Sequence, residues 1–158
     1  MGAADQRHFD ALRTAHFPPD RNHLGAHITL FHQLPPSCFD ELARLIRAVA
    51  ASTPLPAATL RDVYSLGEGV AFRIHSPDLL AIRERIADHF FGALTAQDQG
   101  TPRLHITVQN KVTSGEARAL LAELSRDFRP RPLSITGLAA HHYRGGPWEA
   151  AFAANFRG

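Results

Sequence analysis

A histidine stands two residues before a threonine at two separate points of the sequence, in His27-Ile28-Thr29-Leu30 and again in His105-Ile106-Thr107-Val108. Each tetrad alternates polar and apolar residues, the pattern of a half-buried strand. The histidine and threonine of each copy therefore share a face while the aliphatic residues point into packing. Brought side by side across a groove, the four polar side chains supply two titratable imidazoles and two hydroxyl donors around one point. That set suits an acid, a base and a holder for phosphoryl oxygens. A single histidine in an apolar strand is more often a packed, hydrogen-bonded core residue. Two copies with the threonine at the same offset have no packing rationale and point to a catalytic pair.

The elements that must position the tetrads can be read around them. Gln6 to Phe17 has helical spacing, and Pro18-Pro19 stops it. Ala26 to Leu34 reads as a strand. Pro35-Pro36-Ser37 then opens a helix in which Phe39, Leu42, Leu45, Ile46 and Val49 keep the 3.6-residue period. Thr59 to Leu66 and Val70 to His75 read as a hairpin around Gly67-Glu68-Gly69. Ser76-Pro77-Asp78 starts a third helix, with proline at the first helical position. Leu104 to Val112 is the second tetrad's strand, followed by a helix over Ser114 to Phe128. Leu133 to His142 and Trp148 to Phe156 form a last hairpin across Arg144-Gly145-Gly146-Pro147.

Both halves thus read as tetrad strand, helix, hairpin, a structural duplication that switches at about residue 70 within a single domain spanning 1–158. The expected fold is α+β, with two pseudo-symmetric lobes. Each lobe is a small, mostly antiparallel sheet with outer helices, and a central groove holds the tetrads. The symmetry also exposes a gap, because the first tetrad lacks the opening strand that Val70 to His75 provides for the second. The first lobe is expected to be a strand short, with an edge that needs cover.

Composition sets the outer bounds. With 158 residues, 44% hydrophobic and 20% charged, the chain can bury one real core. Its single Cys38 rules out an internal disulfide, and neither a signal-peptide core nor a membrane-crossing run is present, so a cytoplasmic location is expected. A formal charge of +2 with ten histidines tolerates anionic partners without indicating nucleic acid. Walker loop, dinucleotide fingerprint, His-Glu-x-x-His and nucleophile elbow are all missing. Each tetrad offers one nitrogen ligand and a threonine, poor coordination for zinc, so neither metal nor cofactor is expected.

These features together resemble the 2H phosphoesterase superfamily, and within it the bacterial 2′-5′ RNA ligase-like, cyclic phosphodiesterase branch. Beyond the two tetrads, the stretches Phe9-Asp10-Ala11-Leu12-Arg13, His16-Phe17-Pro18-Pro19 and Ala26 through His32 are similar to that branch's opening. Gly145-Gly146-Pro147-Trp148-Glu149 is similar to its closing hairpin. The resemblance implies metal-independent opening of 2′,3′-cyclic phosphates on RNA ends or nucleotides to 2′-phosphomonoesters, with reversible 2′-5′ RNA ligation at the same site. It assigns His27 as proton donor and His105 as proton acceptor, with Thr29 and Thr107 on the phosphoryl oxygens. The residues alone leave the direction open, since a pseudo-twofold site offers either histidine either role.

Further substrate contacts are expected from Phe31, on the face of His27 and Thr29, and from Gln109, two residues after Thr107. Tyr143 and Arg144, at the tip of the last hairpin, offer a ring and a cation together, against the plainer reading of a solvated turn. Trp148 reads as a hairpin anchor, His32 as structural, and His16, His23, His75 and His89 as surface or element-end residues. The expected partner is an RNA end or a small cyclic nucleotide, with no membrane, and the chain is expected to be a monomer. Two other classes stay open: a nucleotide- or RNA-binding module with the same groove and little turnover, and a structural α+β domain with buried, mutually distant histidines.

Overall fold

A computed structural model of the chain describes residues 1–145 and 147–158, so Gly146 of the last hairpin turn lies outside the described residues. The elements are α1 (Ala3–His16), α2 (Phe39–Ser52), β1 (Thr59–Ser65), β2 (Val70–His75), α3 (Pro77–His89), β3 (His105–Gln109), α4 (Ser114–Arg126), β4 (Arg131–Pro132), β5 (Gly137–Tyr143) and β6 (Trp148–Asn155). The class is α+β. The chain forms two compact units, and each draws on both halves of the sequence. The first takes Met1–Ile28, Ala58–His75 and Arg103–Ser134; the second takes Thr29–Ala57, Ser76–Pro102 and Ile135–Gly158. The two halves of the sequence interleave in the packing, because each hairpin folds with elements distant in sequence.

The first unit is built on an antiparallel sheet in the order β3-β2-β1-β4. One face presents Leu60, Phe72, Ile74, Ile106 and Val108, all buried. Phe9 of α1 is fully buried and meets Phe72 edge-on, with ring centroids 5.2 Å apart, while Phe128 packs against the same ring at 5.8 Å. Each such side chain taken from water contributes about 1.5–3 kcal/mol. Helix α4 packs on β1 and β2 through Ala117 and Leu120, one turn apart. Its start is fastened by a capping box between Thr113 and Glu116, whose carboxyl is held below its usual range by the Thr113 hydroxyl and N–H. The β1–β2 turn needs glycine twice. Gly67 has φ +88°, and a Cβ on Gly69 would collide with the Gln109 backbone.

The second unit holds α2, α3 and the β5–β6 hairpin. Ala43, Ile46, Val49 and Ala50 form the buried stripe of α2, which packs on β5 and β6. Phe39 contacts the rings of His142 and Phe152, at 4.8 and 5.8 Å. Ser76 caps α3 as the sequence predicts, accepting from the Leu79 N–H at 3.1 Å, and its hydroxyl also donates to the Ala57 carbonyl at 2.7 Å.

Two strand expectations are corrected. Ala26 to Leu34 forms no strand among the described residues and bends at Ala26, Leu30 and His32, so side chains bond part of its backbone instead. Ile28 and Leu30 are accordingly half-exposed rather than packed inward. The strand read over Leu133 to His142 starts only at Gly137, after β4 and an irregular stretch that delivers Leu133 and Ile135 to buried positions.

Candidate active site

On β3 the second tetrad alternates as its sequence predicts, with Ile106 and Val108 fully buried and His105 and Thr107 half-exposed. Register places His105 beside Arg73 of β2, which in turn pairs with Asp62 of β1; Thr107 pairs with Ala71, and Ala71 with Tyr64. Directly paired residues share a face, so His105, Thr107, Arg73, Asp62 and Tyr64 line the face opposite Phe72 and Ile106. The Tyr64 ring stands edge-on to His105 at 6.2 Å, and the Arg73 guanidinium lies over Tyr64 at 4.8 Å while bonding Asp62 at 3.2 Å. Burial raises the Tyr64 phenol above its ordinary value despite the opposing Arg73 and Arg103 charges, so it is a neutral O–H donor near pH 7.

The His105 ring is fixed from below. Its Nδ1 donates to the Arg103 carbonyl at 2.6 Å, and because a carbonyl can only accept, Nδ1 carries the hydrogen and Nε2 is the nitrogen left to take or give a proton. The β3 edge is anchored by Arg13 of α1, which is nearly buried, donates to the Thr107 carbonyl at 2.8 Å and to Asn22 Oδ1 at 3.0 Å, and sits over the Phe17 ring. Burial lowers the Arg13 pKa from its ordinary value, with Asp10 opposing, yet guanidinium basicity is so high that it stays charged.

His27, in the same unit, repeats the arrangement. Its Nδ1 donates to the Gly25 carbonyl at 2.8 Å, again the carbonyl two residues before, while the ring itself is exposed. Asp10 Oδ1 accepts from the Ala26 N–H at 2.6 Å, and Gln6 donates to the Ala26 carbonyl at 2.9 Å and to Asp10. The amide and carboxylate of α1 thus do for Ala26 what a neighbouring strand would do.

Thr29 and Phe31 belong to the second unit. There Asp98, 2% exposed, accepts the His32 N–H at 3.0 Å, the Gln33 N–H at 3.1 Å and the His32 ring Nδ1–H at 2.8 Å. Burial alone would raise the Asp98 carboxyl; the bonds from the His32 backbone, the His32 ring and the Gln33 backbone outweigh it and hold the group below its usual range. The Arg83 guanidinium donates to the carbonyls of Leu30 and Asp98 and stacks over Phe31 at 4.8 Å.

The remaining expected contacts separate. A bulge in β3 sets both Thr107 and Gln109 against consecutive β2 residues, Ala71 and Val70, and so turns Gln109 out of the half-exposed row. Gln109 is 6% exposed, and its Oε1 finds no hydrogen-bond partner. Tyr143, at 64% exposure, lies against Trp148 with centroids 4.9 Å apart, and Arg144 pairs with Glu149 at 2.6 Å. Among the described residues, no three of His, Cys, Asp and Glu gather to hold a metal ion, and no helix is long and apolar enough to cross a membrane.

A family model described as the 2′-5′ RNA ligase superfamily matches residues 2–147, a span that includes both tetrads. The chain belongs to the 2′-5′ RNA ligase superfamily. No curated protein matches it. Among solved structures it is similar to TT0787 of Thermus thermophilus, at 14% identity with a TM-score of 0.61, covering all of this chain and 94% of that one, a likeness of fold. Membership in the 2′-5′ RNA ligase superfamily supports a phosphoesterase- or ligase-type activity. Sequence reasoning missed Tyr64, Arg73 and Asp98. The polar alternation of the first hairpin offered a signal for Tyr64 and Arg73, while Asp98 sits in a loop whose local sequence carries none.

Proposed function

We propose that the protein is a metal-independent phosphodiesterase that opens 2′,3′-cyclic phosphates on RNA ends or nucleotides to 2′-phosphomonoesters. The observation that carries the reading is the shared tautomer: His27 and His105 each donate Nδ1–H to the carbonyl two residues earlier, at 2.8 and 2.6 Å. Each ring therefore exchanges its proton at Nε2, bare on the base and protonated on the acid, as a paired acid and base require. In the hydrolytic step His105 takes a proton from water as its oxygen bonds to phosphorus. The bond from phosphorus to the ribose 3′ oxygen breaks, and His27 protonates that oxygen. Thr29 and Thr107 donate to the non-bridging oxygens, where negative charge builds. With a 5′-hydroxyl in place of water, the same step makes a 2′-5′ linkage.

Family membership supports the reaction class, and the direction of proton transfer follows the family pattern. The test is a screen of 2′,3′-cyclic, 3′,5′-cyclic and 2′-5′-linked substrates with a chelator present. Turnover of the 2′,3′-cyclic compound to the 2′-phosphate is expected. Loss of turnover in EDTA, restored by one divalent ion, would show a different chemistry, and binding without turnover on every substrate would favour a nucleotide-binding module.

A further inference from the structure

Buried backbone groups need partners, and residues 30–33, which bend at Leu30 and His32, belong to no ladder among the described residues. In the second unit their polar groups converge on two buried charged side chains instead. One carboxylate, Asp98, takes the N–H groups of His32 and Gln33 and the His32 ring, and the Thr95 hydroxyl at 3.3 Å completes its shell. One guanidinium, Arg83, takes the Leu30 carbonyl, closes onto the Asp98 carbonyl and lies over the Phe31 ring. Both are nearly buried, at 2% and 7% exposure, and a buried charge is kept only where such bonds hold it. Sequence separation reinforces the point, since Asp98 and Arg83 reach this segment from an entirely different stretch of chain.

We propose that Asp98, with Arg83, is a positioning residue for the first tetrad: its bonds to the backbone fix the bent segment that follows Thr29. The proposal rests on the reading of Thr29 as a holder of phosphoryl oxygens. Backbone anchoring matters more than the His32 ring, because two of the carboxylate's bonds are to N–H groups of the segment itself. Misplacement of a reacting group by about 1 Å costs on the order of a hundredfold in rate.

Three variants separate the contributions. Asp98→Ala removes every acceptor, Asp98→Asn keeps one oxygen for the backbone N–H groups, and His32→Ala removes the ring bond alone. With 2′,3′-cyclic AMP as substrate, Asp98→Ala is expected to lower kcat by roughly ten- to a hundredfold with KM changed less than about threefold. Asp98→Asn should recover part of that loss, and His32→Ala should stay within about threefold of the parent. Near-native kcat in Asp98→Ala would overturn the proposal, as would His32→Ala matching its loss. If Asp98→Ala does not fold, Asp98→Asn against His32→Ala decides: a larger kcat loss in the former supports the anchor, and equal rates refute it. Amide exchange at His32 and Gln33 supplies a readout free of activity. Protection in the parent that is lost in Asp98→Ala and kept in His32→Ala supports the anchor even if no cyclic substrate turns over. Unprotected amides in the parent would overturn it while leaving the proposed reaction untouched.

Discussion

The two tetrads differ by a leucine for a valine, yet the protein holds them in different ways. The second is a strand of a four-stranded sheet, with Ile106 and Val108 sealed in the core and the backbone paired to β2. The first lies in an irregular segment tied down by Gln6 and Asp10 at Ala26, and by Arg83 and Asp98 from Leu30 onward. What both keep is the local bond from histidine Nδ1 to the carbonyl two residues earlier, and a buried arginine on a tetrad carbonyl, Arg13 at Thr107 and Arg83 at Leu30. Geometry close to the imidazole is thus shared, while the backbone support behind it was free to differ.

The largest effects should show the tetrads as equals. Replacing His27 or His105 by Ala should each lower kcat by about two to four orders of magnitude, and the double variant should be little worse than either, because parts of one catalytic unit are not additive. Steady-state and single-turnover kinetics on a 2′,3′-cyclic nucleotide check this; a hundredfold effect at one histidine with none at the other would break the equivalence. Thr29→Ala and Thr107→Ala should each cost less, on the order of ten- to a hundredfold, as single donors to a charged oxygen.

Stability should instead set the two apart. Ile106→Ala removes a fully buried side chain and should cost about 2–5 kcal/mol in urea unfolding. Ile28→Ala, at the matching but half-exposed position, should cost less than about 2 kcal/mol. Similar values would mean that the first tetrad is packed as tightly as the second.

The difference bears on what could be read in advance. Periodicity located the helices, and alternation placed His105 and Thr107 on one face, because both depend on neighbours along the chain. The Ser76 cap and the Gly67–Gly69 turn were legible for the same reason. Whether an alternating run finds a ladder partner depends on residues far away, and Ala26 to Leu34 reads as a strand although its backbone bonds go to side chains. The inward turn of Gln109 follows from a bulge that sets Thr107 and Gln109 against consecutive β2 residues, a register effect without a local signature. Asp98 stayed hidden because a lone aspartate in a loop looks solvated until its partners, His32 and Gln33, are known.

A smaller effect follows from two of the depressed carboxyls, Asp5 in the first unit and Asp98 in the second. Burial would raise Asp5, but the Ser134 N–H and Arg131 outweigh it, as the bonds to Asp98 do there. An unfolded chain protonates these groups at ordinary values, so their contribution is complete above the usual carboxylate range and is lost as pH falls through the lower folded values. Thermal melts should therefore decline below the ordinary carboxylate range, and Asp98→Asn should flatten part of that decline. An unchanged acid slope in Asp98→Asn would mean that the carboxylate is not held as described.

The central claim, that one imidazole gives a proton and the other takes one, is tested most directly by the pH dependence of kcat/KM on a 2′,3′-cyclic nucleotide in chelator. The parent should give a bell, because one histidine must be protonated and the other neutral. Residual activity of His27→Ala should lose the limb that falls at high pH, and that of His105→Ala the limb that falls at low pH. A flat parent profile, or a bell that survives in both variants, would contradict the assignment.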